Sequence, residues 1–119
     1  MLLSLRTAFL TTALVASAAA AYAQDVANGK ELFVKNTCYG CHGFSGQNGP
    51  GNRLVPMRMN QAAFIAYVRK PSSPERMPTY SAKVLSDEQL GDIYAYIRSL
   101  PNAPAARDIP LLNQIKNSK

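Results

Sequence analysis

The run Cys38-Tyr39-Gly40-Cys41-His42 contains both cysteines and the only histidine of the 119-residue chain. Any chemistry that needs a thiol or an imidazole is therefore confined to five residues. C-x-x-C-H reads as an attachment site for c-type haem: two thiols three positions apart add to vinyl groups of one porphyrin, and the next imidazole ligates the iron. A disulfide or thioredoxin-like redox pair is the first alternative, but the latter needs a βαβ setting and no strand-rich segment surrounds the motif. A structural zinc site takes about four protein ligands, and only Cys38, Cys41 and His42 are of the usual kind.

Haem iron takes two axial ligands, and His42 supplies one. With no second histidine, the candidates for the other are Met57, Met59 and Met77, each with core packing as its plainer role. Met57 and Met59 flank Arg58 on the way into a helix. Met77 lies in Pro71-Ser72-Ser73-Pro74-Glu75-Arg76-Met77-Pro78, where prolines pre-set the backbone and hold the side chain in place.

The elements that must position these residues read as helices. Asp25 can cap a helix to about Lys35, with Val26, Gly29, Leu32 and Phe33 on one face. Gly29 costs close to 1 kcal/mol relative to alanine in mid-helix, so it marks either a close contact there or a tolerated defect. After His42, a glycine-rich loop with Pro50 inside it suits a chain turning around a flat ligand, and Leu54, Val55, Pro56 and Met57 form an apolar patch for one haem edge. These glycines are no phosphate-binding fingerprint, since no strand precedes them and no Lys-Ser/Thr follows. Asn60 can start a second helix that stops at Lys70, before Pro71. Ser86-Asp87-Glu88-Gln89 has the form of a capping box, opening a helix with Leu90, Ile93, Tyr94 and Ile97 at helical spacing. Beyond Pro101 periodicity fades, apart from an apolar cluster at Leu111, Leu112 and Ile115.

Residues 1–23 have the form of a cleaved secretory signal: a lone Arg6, an uncharged apolar run from Thr7 to Ala21 and a small-x-small ending at Ala21-Tyr22-Ala23. That run is short for a membrane span of about 20 residues. The expected location is the periplasm. The formal net charge is +6, and Arg53, Arg58, Arg69, Lys70 and Arg76 all lie between the haem motif and Met77. One use for them is a solvated surface with one or two side chains neutralising haem propionates; another is a basic rim that steers an acidic docking surface on a redox partner, a rate effect that salt weakens. A nucleic-acid partner is not expected.

Helix with Gly29 and Phe33, C-x-x-C-H, Gly49-Pro50, Met77-Pro78 and a last helix with Ile93, Tyr96 and Ile97: in this order the motifs closely resemble the small bacterial class I cytochromes c. The resemblance covers about residues 25–101. It implies an all-α fold of three to five short helices around one covalent haem c, in a domain at 24–103 followed by a tail at 104–119. It further implies Met77 as sixth ligand, Gly29 and Phe33 packed against Ile93 and Tyr96, and the Pro50 carbonyl accepting a hydrogen bond from His42. Gly51-Asn52-Arg53 between Pro50 and Leu54 departs from the family's loop register. The implied cofactor site is then Cys38, Cys41, His42, Pro50, Leu54 and Met77, with no catalytic residues. The expected role is an electron carrier between a dehydrogenase or membrane respiratory complex and an oxidase, reductase or other cytochrome. Two alternatives are a dedicated cytochrome subunit of a periplasmic oxidoreductase and a haem enzyme or gas-binding protein with an open iron.

Overall fold

The structure is a computed structural model that describes residues 23–118. The signal read at residues 1–23 thus lies outside the described residues, save for Ala23. Five α-helices follow in order: α1 (Val26–Lys35), α2 (Cys38–His42), α3 (Gln61–Arg69), α4 (Asp87–Ser99) and α5 (Pro110–Asn117), with a 3-10 helix at Ala106–Asp108. No strand occurs among the described residues, so the fold is all-α as expected.

Three helices begin where a side chain takes up an otherwise unpaired backbone N–H. Asp25 accepts from the Asn28 N–H (3.0 Å) and Asn60 from the Ala63 N–H (2.9 Å). At α4 the capping box closes both ways, the Gln89 N–H donating to Ser86 Oγ (3.2 Å) and the Ser86 N–H to Gln89 Oε1 (2.9 Å). Caps of this kind contribute about 1 kcal/mol each. Glu88, in the first turn of α4, has its carboxyl held below the usual range by backbone N–H groups and by Ser86.

The core is built on the crossing of α1 and α4. A Cβ at Gly29 would stand 2.0 Å from the Asp92 carbonyl oxygen, so the two backbones touch there. One turn on, Phe33, only 1% exposed, packs edge-on against Tyr96 with ring centroids 5.4 Å apart. Such ring pairs contribute about 0.5–1.5 kcal/mol beyond their burial. Val26, expected on the same face, is 44% exposed, because the crossing starts a turn later at Gly29. One acidic side chain of α4, Asp92, is fully buried. Its carboxylate accepts from the Asp25 N–H and from Asn28 Nδ2, both at 2.7 Å. It therefore serves the start of α1, where helical N–H groups lack an internal partner.

Helix α3 buries Phe64 and Val68, and Phe64 meets Tyr94 of α4 at a centroid distance of 5.6 Å. Arg69 at its end links two segments: Nη1 donates to the Tyr80 carbonyl (2.8 Å) and Nη2 to the Asp87 carboxylate (2.6 Å). In the proline-rich loop, the Arg76 and Met77 N–H groups both donate to the Ser73 carbonyl, at 3.0 and 2.9 Å.

The tail departs from its expected lack of periodicity. Pro110 looks like a breaker in sequence, but it occupies the first turn of α5, where its missing N–H costs nothing. Leu111, Leu112 and Ile115 lie 63%, 44% and 51% exposed on this helix. Among the described elements, α5 contacts only the 3-10 helix.

The crossing yields a contrast between two glycines. Gly29→Ala must separate two backbones, and we expect it to cost about 1–3 kcal/mol or more in urea unfolding. Gly40→Ala, in α2 with nothing within 4 Å of the added Cβ, should leave stability unchanged or raise it by about 1 kcal/mol or less.

Candidate functional site

The end of α1 delivers the C-x-x-C-H run through a two-residue corner. Asn36 closes α1 by donating from Nδ2 to the Leu32 carbonyl (2.8 Å). Thr37 then takes φ = 56°, a left-handed conformation that β-branched residues rarely adopt. The corner is held from across the site by Tyr80, whose hydroxyl donates to the Asn36 carbonyl (3.2 Å). Burial is the main cause that raises the Tyr80 pKa.

The motif itself is one turn and a half of helix, and the loop after it folds back onto it. Gly43 turns the chain with φ = 74°, a region that suits glycine. The Gly51 N–H donates to the Cys41 carbonyl at 2.6 Å, and a Cβ at Gly49 would lie 2.1 Å from that same oxygen. The glycines of this loop thus serve its close approach to the backbone of α2. This tight return sets the partner of the imidazole: His42 Nδ1 lies 2.7 Å from the Asn52 carbonyl. The expected acceptor, Pro50, is corrected to Asn52. The bond from Gly51 to Cys41 anchors the loop, and the next carbonyl beyond that anchor is the one that reaches the ring. Since a carbonyl can only accept, Nδ1 carries the proton and Nε2 keeps the lone pair for a ligand.

Cys38, Cys41, His42, Pro50, Leu54 and Met77 all line one cavity of about 1190 Å³. Met57 and Met59 line it too, half-buried and exposed respectively. A small recess of about 40 Å³ behind it is shared by Cys38, His42, Leu54 and Met77 with Phe33 and Leu90 of the core. His42, Leu54 and Met77 thus touch both the site and the hydrophobic interior, whereas Met57 and Met59 do not line that recess. Sequence reasoning missed Asn52, Tyr80, Thr37 and Gln47 as wall residues; the Gly49-x-Gly51 spacing was the one local hint of a loop pressed onto its neighbour.

Electrostatically the site is basic. Arg53, Arg58 and Arg76 line the cavity and are exposed, and no acidic residue lines it. Arg69, grouped with them by sequence, is committed to Asp87 and Tyr80. Both cysteines are free thiols, and burial pushes Cys38 up to about 11, the charge of Cys41 adding to it and a backbone hydrogen bond opposing it. Two thiols, an imidazole with its free nitrogen defined and a thioether side chain on a shared cavity are the donor set that haem c requires.

Comparison with known proteins gives the family of the chain. The family described as cytochrome c oxidase, cbb3-type, subunit III matches residues 24–97. The chain belongs to this cytochrome c family. Among curated relatives, the cytochrome bc1 complex cytochrome c subunit of Corynebacterium diphtheriae is 34% identical over 83 residues, covering 68% of this chain and 29% of that protein. The counterpart in Corynebacterium efficiens is 31% identical, covering 68% and 28%. The chain therefore spans less than a third of the length of these curated relatives. No solved structure matches. As a member of a cytochrome c family it is of the electron-carrier class, and haem c is the cofactor the family implies. No helix among the described residues is long and apolar enough to cross a membrane.

The loop register can be tested at single residues. Gly51→Ala places a Cβ 2.9 Å from the Cys41 carbonyl and should loosen the bond between His42 and Asn52, seen as faster exchange of the His42 Nδ1 proton by NMR. Pro50→Ala should leave that proton unchanged.

Proposed function

We propose that the protein is a periplasmic electron carrier holding a single haem c, bound covalently at Cys38 and Cys41 and ligated by His42 and Met77. The observation that carries this reading is the single cavity on which both cysteines, the histidine and Met77 converge. When bound, haem supplies one-electron chemistry between ferric and ferrous iron. The chain's own residues bind, orient and shield it. His42 offers Nε2 while Asn52 fixes the ring, which sets both orientation and basicity of the ligand. Met77, half-buried in a loop pinned at Ser73, is the sulfur assigned to the second face: Met57 also packs against the core, but of the three candidate methionines Met77 alone borders the recess shared with His42. His/Met ligation raises the potential and leaves no open position, which suits outer-sphere transfer and opposes an enzyme or gas-binding role. Arg53, Arg58 and Arg76 are available to the propionates or to an acidic face of a redox partner. The export signal at residues 1–23 is the basis for the periplasmic assignment.

A second reading, a dedicated subunit of a respiratory or other oxidoreductase complex, is favoured by α5. It carries exposed apolar side chains and packs against none of α1–α4, and the curated relatives are themselves named as subunits of a complex. On this reading α5 docks on a protein subunit of that complex.

Two measurements test these readings. The oxidised protein should show a methionine-to-ferric-iron charge-transfer band that disappears in Met77→Ala and persists in Met57→Ala and Met59→Ala; a band that survives Met77→Ala moves the ligand to one of the other two. Truncation after Ala103 should leave this spectrum intact, and loss of a co-purifying complex in that variant would establish the subunit reading over the free carrier.

A further inference from the structure

We propose that Gln47 is a clasp that holds residues 101–103 as a strap across the mouth of the cavity, and that this strap sets how far water reaches the haem edge. The proposal goes beyond the electron-carrier reading and rests on it for the presence of haem.

Gln47 sits in the loop that also carries Asn52, and its amide reaches a segment 54 to 56 residues away. Nε2 donates to the Pro101 carbonyl at 2.9 Å, and Oε1 accepts from the Ala103 N–H at 3.0 Å. Nε2 also points to the Ser45 carbonyl (3.3 Å), and Arg53 Nη2 donates to Oε1 at 3.4 Å. A primary amide matches this pair of backbone groups because it offers one donor and one acceptor side by side. Glutamate lacks the donor, alanine lacks both, and asparagine is one methylene short.

Helix α4 ends at Ser99, and beyond Leu100 these two bonds are the hydrogen bonds that join residues 101–103 to the domain among the described residues. Gln47, Asn102 and Ala103 all line the cavity. The clasp thus carries the chain past the end of its last core helix and lays it along the wall next to the His42 loop. Both partners in the strap are main-chain groups, so the path of the strap is fixed whatever its side chains are. A wall that excludes water lowers the local dielectric. Ferric haem bears one more positive charge than ferrous haem, so admitting water favours the ferric form and lowers the potential.

The test compares Gln47→Ala, truncation after Leu100, the two combined, and truncation after Ala103, all as haem-loaded protein. The readouts are the midpoint potential and, where the strap is present, hydrogen exchange at the Ala103 amide. Gln47→Ala should speed exchange at Ala103 at least about tenfold. It should also shift the ferric/ferrous equilibrium toward ferric by up to about tenfold, equivalent to 59 mV for one electron. Truncation after Leu100 should give the same shift, the combined variant no more, and truncation after Ala103 none. An unchanged potential in Gln47→Ala overturns the proposal, and so does a combined shift equal to the sum of the two. If Gln47→Ala fails to fold, truncation after Leu100 with an unchanged potential overturns it equally. A wild-type spectrum without c-type bands would refute the carrier reading instead, and unaltered Ala103 exchange in Gln47→Ala would refute the clasp whatever the spectrum shows.

Discussion

The structure depends on the backbone contact between Gly29 and Asp92. A hydrogen in place of a Cβ lets α1 and α4 meet main chain to main chain, closer than any pair of side chains would permit. From that approach follow the seating of Phe33 on Tyr96 and the burial of Asp92 where its carboxylate receives the backbone N–H of the cap residue Asp25 and the side-chain amide of Asn28. A buried carboxylate is costly unless its oxygens are bonded, so the crossing and the cap of α1 support each other. The C-terminal end of α1 is fixed by the same contact, and the Cys38–His42 motif begins three residues beyond it. Placement of the motif is thus a consequence of helix packing at a glycine upstream of it.

The two faces of the cavity are built differently from its floor. The floor is apolar and helical, with Phe64 and Val68 of α3 in the main cavity and Phe33 and Leu90 in the recess behind it. His42 ends the short helix α2 and faces the loop that folds back onto it, while Met77 lies in a loop; both loops are held by hydrogen bonds. One is tied by Gly51 to Cys41, the other by Arg76 and Met77 to Ser73 and by Arg69 to Tyr80. Helix packing is cooperative and tolerates little change, whereas a loop anchored by two or three hydrogen bonds can be adjusted residue by residue. The surroundings of His42 and Met77 can therefore change in the loops without disturbing the fold.

What the sequence made legible was governed by short-range rules. The cap at Asp25, the capping box at Ser86, the stop before Pro71 and the convergence implied by C-x-x-C-H are set by residues a few positions apart. The crossing at Gly29 was legible only through family resemblance, because a glycine in mid-helix has several causes. Three features escaped. The acceptor for His42 is Asn52 in place of Pro50 because the register is decided by the contact of Gly51 with Cys41, a backbone bond that side-chain types do not encode. Asp92 shares its helix with surface polar residues, and only the approach of α1 converts it to a buried cap. Helix α5 was hidden because a proline that ends one helix also starts another well, and the two roles look alike without the flanking geometry.

The charge pattern bears on how such a site would meet a partner. Of the five basic residues between the motif and Met77, Arg69 is spent internally on Asp87, an ion pair partly exposed on the carboxylate side and so a modest contributor to stability. Its larger effect is to hold Tyr80, which in turn holds Asn36 and the corner into α2. Arg53, Arg58 and Arg76 have no ion-pair partner among the described residues and stand on the cavity wall. Positive charge next to iron disfavours the ferric state, so a partner carboxylate that neutralised any of the three would ease oxidation at the moment of contact. On the proposed carrier reading, docking and driving force would be coupled through the same side chains, in the direction of electron release to an acidic partner.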